Sequence, residues 1–139
     1  MDRSRVRVKS RRAALSTVCR AGLRSGNYGT MSKRVLIIDD EKNIRTTLAR
    51  GLDLEGFVVE GAETGQAGLA LSASFAPDLV LLDLKLPDMT GLDVLERLHG
   101  QPEGPAVVMM SGHGTLDAAI RATRLGALDF LEKPVEMER

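Results

Sequence analysis

Five short apolar runs constrain this chain most. They lie at residues 34–39, 57–61, 78–83, 106–111 and 127–132, and a stretch of helical periodicity separates each from the next. Runs such as VLII, LVLL and AVVMM are continuous rather than alternating, the pattern of strands buried on both faces. Between them, Ile44, Leu48 and Leu52 recur at helical spacing over 43–55, and Ala67, Leu71 and Phe75 over 63–75. Leu92, Leu95 and Leu98 do so over 91–98, and Leu116, Ala119, Ile120 and Thr123 over 115–125. Parallel strands need long crossovers, and these spacers have the length of helices, so the pattern predicts right-handed βαβ units and a parallel sheet covered on both faces. After the fifth run only residues 133–139 remain, and VEMER is too short to cover a sheet face. The expectation is an α/β chain lacking most of its last helix.

Charge divides the chain. Residues 1–30 carry eight Arg and Lys against one acid, Asp2, although the whole sequence is neutral. This segment holds no strand-like run, and its apolar side chains cannot repay the entropy of ordering it, so 1–30 is expected to be a disordered basic extension and 31–139 the domain. Several roles for the extension stand open: a nucleic-acid arm without stacking aromatics, an export signal around Arg11-Arg12, a transit peptide, or sequence upstream of a true start at Met31. A further variant has residues 11–23 docking as a substitute helix. The single cysteine, Cys19, excludes an internal disulfide framework and fits a reducing compartment. Nothing approaches the roughly 18 consecutive apolar residues of a membrane span, and a cytoplasmic location is expected.

Open parallel sheets bind ligands beyond the carboxyl ends of their strands. There the first run ends in Asp39 and Asp40, the third in Asp83 and the fourth in Ser111, while Lys133-Pro134 follows the fifth. Three converging carboxylates repel one another, and a hard divalent cation resolves the conflict. Mg²⁺ suits an all-oxygen set, and no His or Cys among the strand ends favours zinc. A lysine ammonium and a serine hydroxyl suit phosphoryl oxygens, so the chemistry indicated is phosphoryl transfer, with Asp83 as the nucleophilic carboxylate. Each residue taken alone has a plainer role: Asp40 could cap the first helix, and Ser111 could satisfy backbone. The joint placement of all five favours a site.

These residues fall in motifs that resemble the receiver domain of two-component response regulators. They are IIDDE at 37–41, LLDLKLPDMTGLDVL at 81–95, MMSGHG at 109–114 and GALDFLEKP at 126–134, and the wording is most similar to receivers of the NtrC/NtrX class. The resemblance spans about residues 33–135. It implies a flavodoxin-like (βα)₅ fold of strand order 2-1-3-4-5 and phosphorylation of Asp83 from the phosphohistidine of a sensor histidine kinase. It further implies Mg²⁺ bound by Asp39, Asp40, Asp83 and the backbone carbonyl of Lys85. Ser111 and Lys133 would contact the phosphoryl group, Ser111 and Phe130 would form the switch, and Lys133-Pro134 would be a cis peptide. His113 would shape water access, or else be a plain loop residue.

Such a domain is a phosphoprotein switch for transcription regulation rather than an enzyme, with at most slow self-phosphotransfer and autodephosphorylation. It would act through an output domain or partner protein and is compatible with a homodimer on phosphorylation. Direct DNA binding is not expected of this chain, which contains no Walker motif of an ATPase output domain. A truncated receiver is expected; a stand-alone receiver or phosphate-relay intermediate is the alternative. An Mg²⁺-dependent phosphohydrolase of the haloacid-dehalogenase type would place a DxD pair after the first strand, whereas Asp39 and Asp40 are adjacent. A non-phosphorylated interaction module would not need the complete Asp-Ser-Lys set.

Overall fold

In a computed structural model, residues 33–112 and 115–133 are described. The basic extension, Met31, His113, Pro134 with the expected cis peptide, and the segment after it lie outside the described residues.

Within them the elements alternate strictly: β1 (Arg34–Ile38), α1 (Lys42–Leu54), β2 (Val58–Ala62), α2 (Gly65–Phe75), β3 (Leu79–Asp83), α3 (Gly91–His99), β4 (Ala106–Ser111), α4 (Leu116–Arg124) and β5 (Asp129–Glu132). All strand pairs are parallel, in the order β2-β1-β3-β4-β5. This is the flavodoxin-like arrangement, with each strand within two residues of its sequence-based position.

The continuous apolar runs form the inner strands because both faces there are covered. Val35, Ile37, Leu79, Leu81, Val108, Met110 and Leu131 join one core with Leu48 and Leu52 of α1. Their neighbours Leu36, Ile38, Val80, Leu82, Val107 and Met109 join a second core, with Val94, Leu95 and Leu98 of α3 and Ala122 of α4. Period-two alternation sends adjacent residues of one strand to opposite cores. The edge strands are the exceptions: β2 buries only Ala62 and β5 only Leu131.

Three helices start on threonine caps. Thr64, Thr90 and Thr115 accept, through Oγ1, the N–H of Ala67, Asp93 and Ala118 at 3.0, 3.2 and 3.1 Å. Each cap satisfies a donor that the helix itself cannot, a contribution of about 1 kcal/mol.

Two helical stripes differ from expectation. On α2 the buried residues are Gly65, Gly68 and Ser72, while Ala67 is exposed and Leu71 and Phe75 pack half-buried at the margin. The Ile38 side chain fills the space above Gly68, and a Cβ there would collide with it. The helix approaches the sheet too closely for a bulky stripe. On α4 the small residues Ala119 and Ala122 face inward, leaving Leu116 and Ile120 58% and 39% exposed. Among the described residues no helix is long and apolar enough to cross a membrane.

Candidate functional site

Strand register assembles the site. Ile38 pairs with Leu82, which sets Asp39 level with Asp83 on the neighbouring strand. Asp83 pairs with Met110, so Ser111 stands one residue further, and Ser111 pairs with Glu132, just before Lys133. The ladders continue past the strand ends: Asp39 N–H donates to the Ala62 carbonyl at 3.0 Å, and Leu84 N–H to Met110 at 2.8 Å. Lys133 N–H likewise donates to the Ser111 carbonyl at 2.8 Å. Each candidate side chain is thus fixed by a sheet hydrogen bond at or beside its own residue.

Asp39, Asp83 and Ser111 are buried polar residues at this edge. Lys133 Nζ lies 2.9 Å from Asp39 Oδ2, 3.2 Å from Asp83 Oδ1 and 3.6 Å from Glu41 Oε1. One ammonium therefore serves three carboxylates. Asp39 Oδ1 accepts the Glu41 N–H at 2.9 Å, whereas the buried Oδ2 takes no hydrogen bond. Lys133 neutralises that oxygen as a nearby charge without a well-directed bond.

Burial first, then the Asp39 charge, pushes the Asp83 carboxyl up to about 6 against the opposing pull of Lys133. For Lys133, burial favours loss of the proton, but contact with Asp39 and the charges of Asp83 and Asp39 prevail and raise its pKa. The site holds more negative charge than one lysine balances.

Oxygens from Asp39, Asp40 and Asp83 all lie within 4.8 Å of one another. Three hard donors at this spacing, one oxygen of them buried without a hydrogen bond, fit a divalent cation of the Mg²⁺ kind. Asp40 is exposed, and the α1 cap position belongs to Glu41, which makes no side-chain cap bond, so Asp40 does not cap that helix. A cleft of about 530 Å³ opens above, lined by Asp40, Asp83, Lys85, Ser111 and Lys133 among others. Phe130 does not line it; the ring is half-buried against the second core, on the face shared with Met109.

Three supporting residues escape sequence reasoning. Arg45 Nη1 donates to the Asp39 carbonyl at 2.7 Å and Nη2 lies 3.9 Å from Glu63 Oε1, clamping the end of β1. Glu41 joins the lysine cluster. Gly91 packs against the Asp83 carbonyl, where any Cβ would collide, and its N–H donates to Leu84 O at 2.6 Å. Only the motif spacing from Asp83 to Gly91 could have signalled the last of these.

Comparison with known proteins agrees with this geometry. Residues 35–139 match the response regulator receiver domain family. The acid tolerance regulatory protein ActR of Rhizobium meliloti is 37% identical over 76% of the chain and 55% of its own length. The chain thus spans about half of that relative. The sporulation initiation phosphotransferase F of Bacillus subtilis is 35% identical over 78% of the chain and 87% of its own length.

Among solved structures, a CheY-like receiver from Methanospirillum hungatei superposes with a TM-score of 0.73 at 36% identity, covering 76% of this chain and 85% of that one. NtrX from Brucella abortus does so at 0.70 and 39%, over 76% of this chain and 25% of that one. A Burkholderia pseudomallei response regulator with a phosphorylated aspartic acid, calcium ion and citrate gives 0.69 and 31%, over 74% and 61%. On its sequence, its strand order and its crowded acidic edge, the chain belongs to the receiver-domain family of two-component response regulators.

Proposed function

We propose that this receiver accepts a phosphoryl group on Asp83 from a histidine kinase phosphohistidine and passes the signal to an output. The observation that carries the reading is the buried pair Asp39 and Asp83, level on adjacent strands with Lys133 Nζ between them at 2.9 and 3.2 Å.

In transfer, an Asp83 carboxylate oxygen attacks phosphorus. The P–N bond to the donor imidazole breaks, and its electron pair returns to the ring. The carboxylate form of Asp83 is the nucleophile in this step. Asp39, Asp40, Asp83 and the Lys85 carbonyl would hold Mg²⁺. When bound, the ion supplies positive charge to the phosphoryl oxygens in the transition state. Lys133 exchanges its contact with Asp83 for a phosphoryl oxygen, and Ser111 donates its hydroxyl to another. The pull on Ser111 opens space for Phe130 to turn inward, which alters the surface of α4 and β5. The phosphorylated aspartate and divalent cation in the Burkholderia relative support this arrangement.

The domain is assigned to residues 31–139, with 1–30 as a basic extension, and the protein to the cytoplasm. Its reading partners are a sensor kinase and a transcriptional output domain or protein, with a homodimer forming on phosphorylation. As a second reading, the likeness to a sporulation initiation phosphotransferase supports a phosphate-relay receiver.

Incubation with Mg²⁺ and acetyl phosphate is expected to give a stoichiometric, hydroxylamine-labile adduct and no continuing turnover of sugar phosphates. Steady sugar-phosphate hydrolysis would instead make the chain a phosphohydrolase.

A further inference from the structure

The loop at 84–90 carries Lys85, whose carbonyl the proposed metal site requires. Its base is closed locally by the Gly91 N–H to Leu84 carbonyl bond at 2.6 Å and by an antiparallel bridge between Lys85 and Thr90. Its apex is held from elsewhere in the chain. Asp88 Oδ1 accepts the Gly65 N–H at 2.8 Å, and Oδ2 accepts the Gln66 N–H at 2.9 Å.

Those two donors are the first of α2, which no carbonyl of the helix can reach. The third, the Ala67 N–H, is satisfied by Thr64 Oγ1 at 3.0 Å, and the Gly68 N–H makes the first bond of the helix itself, to the Thr64 carbonyl at 2.9 Å. Two acceptors, Asp88 and Thr64, thus divide the donors of Gly65, Gln66 and Ala67 at this helix end. Thr64 belongs to the helix it caps; Asp88 belongs to the loop that follows the acceptor. The two N–H bonds to Gln66 and Gly65 hold the Asp88 carboxyl below the usual aspartate range, so the contact stays charge-assisted at neutral pH.

We infer that Asp88 is a positioning residue, a tether that fixes the 84–90 loop to the amino end of α2 and so sets the Lys85 carbonyl for the cation. The inference rests on the proposed Mg²⁺ site. Helix stability and metal affinity are separable here, because Thr64 caps the same helix from its own segment, with its hydroxyl on the Ala67 N–H.

The chain contains no Trp, so Mg²⁺ binding is best followed by amide NMR shifts of the full chain. Asp88→Ala is expected to weaken Mg²⁺ binding about tenfold, the usual scale for residues that orient metal ligands. Asp88→Asn keeps one acceptor oxygen and should fall between it and the wild type; it carries the comparison should the alanine variant fail to fold. Thr64→Ala, which removes the other cap, should change affinity by less than about twofold while costing similar helix stability. With acetyl phosphate, Asp88→Ala should phosphorylate slowly at low Mg²⁺ and recover the wild-type rate at saturating Mg²⁺. Equal affinity changes in Asp88→Ala and Thr64→Ala, or none in Asp88→Ala and Asp88→Asn, would make Asp88 a helix cap only and overturn the inference. Absence of Mg²⁺ shifts in the wild type itself would overturn the proposed metal site, and the inference with it.

Discussion

The half of the fold around β1 and β3 differs from the half formed by α4 and β5. In the first, Asp39 and Asp83 follow runs whose side chains are at most 3% exposed, and Arg45, Asp88 and Gly91 hold the flanking segments. In the second, β5 has four residues, Phe130 is half-buried, and Leu116 and Leu128 are 58% and 47% exposed. Precision is concentrated where atoms would meet the proposed phosphoryl group, and looser packing where the proposed switch surface would change. Opening free energies are lowest where buried apolar contacts are few, so moving elements come from such regions.

Core truncation gives the widest contrast. Leu82→Ala, in fully buried β3, should lower unfolding free energy by about 3–5 kcal/mol in urea titrations, whereas Leu116→Ala on α4 should stay within about 1 kcal/mol. Equal losses would erase the distinction between the two halves.

Lys133 links them, as the β5-side cation that neutralises acids on β1 and β3. Lys133→Met leaves those buried acids without their ammonium and should cost about 3 kcal/mol without metal, by thermal or urea unfolding. Saturating Mg²⁺ should restore much of that loss. Failure of Mg²⁺ to do so would mean that the acids do not share a cation site.

Asp83 should show the opposite sign. Its folded pKa of about 6 lies above the unfolded value of 3.8, so the native state binds the proton more tightly. Stability therefore falls as pH rises from about 4 to 6, by roughly 2–3 kcal/mol, and the penalty persists at higher pH. Without added metal, Asp83→Asn should be more stable than wild type by up to that amount at pH 7. The gain should vanish below about pH 4, as pH-dependent urea titrations would show. A destabilised Asp83→Asn at pH 7 would contradict the reading of an overcharged site.

The smallest effect tests the looser half alone. Thr115→Ala removes the α4 cap and should cost about 1 kcal/mol, with faster amide exchange confined to α4 and its neighbours. Exchange spreading to β1 and β3 would show that the halves open together.

The sheet was legible in the sequence because each inner strand is a continuous apolar run ending in a chemically distinctive residue. The acids, Ser111 and Lys133 were legible for the same reason: strand ends at one edge converge whatever the side-chain details. The helix faces were not. Reading α2 by its bulkier residues missed the inward face of Gly65, Gly68 and Ser72, because Ile38 already occupies that space. The same bias placed Leu116 and Ile120 beside Ala119 on the inward face of α4, where Ala119 and Ala122 pack. Arg45 and Asp88 could not be found because their hydrogen bonds go to backbone atoms, which carry no residue-type signal. In the case of Asp88 those partners also stand 22 and 23 residues away.

Mass spectrometry of borohydride-reduced peptides, after reaction with acetyl phosphate and Mg²⁺, tests the central claim most directly. Reduction converts an aspartyl phosphate to homoserine and marks the acceptor position. The account predicts the mark at Asp83 alone, absent without Mg²⁺ and absent in Asp83→Asn. A mark at Asp39 or Asp40 in the wild-type chain, or no mark under conditions where Mg²⁺ binds, would contradict it.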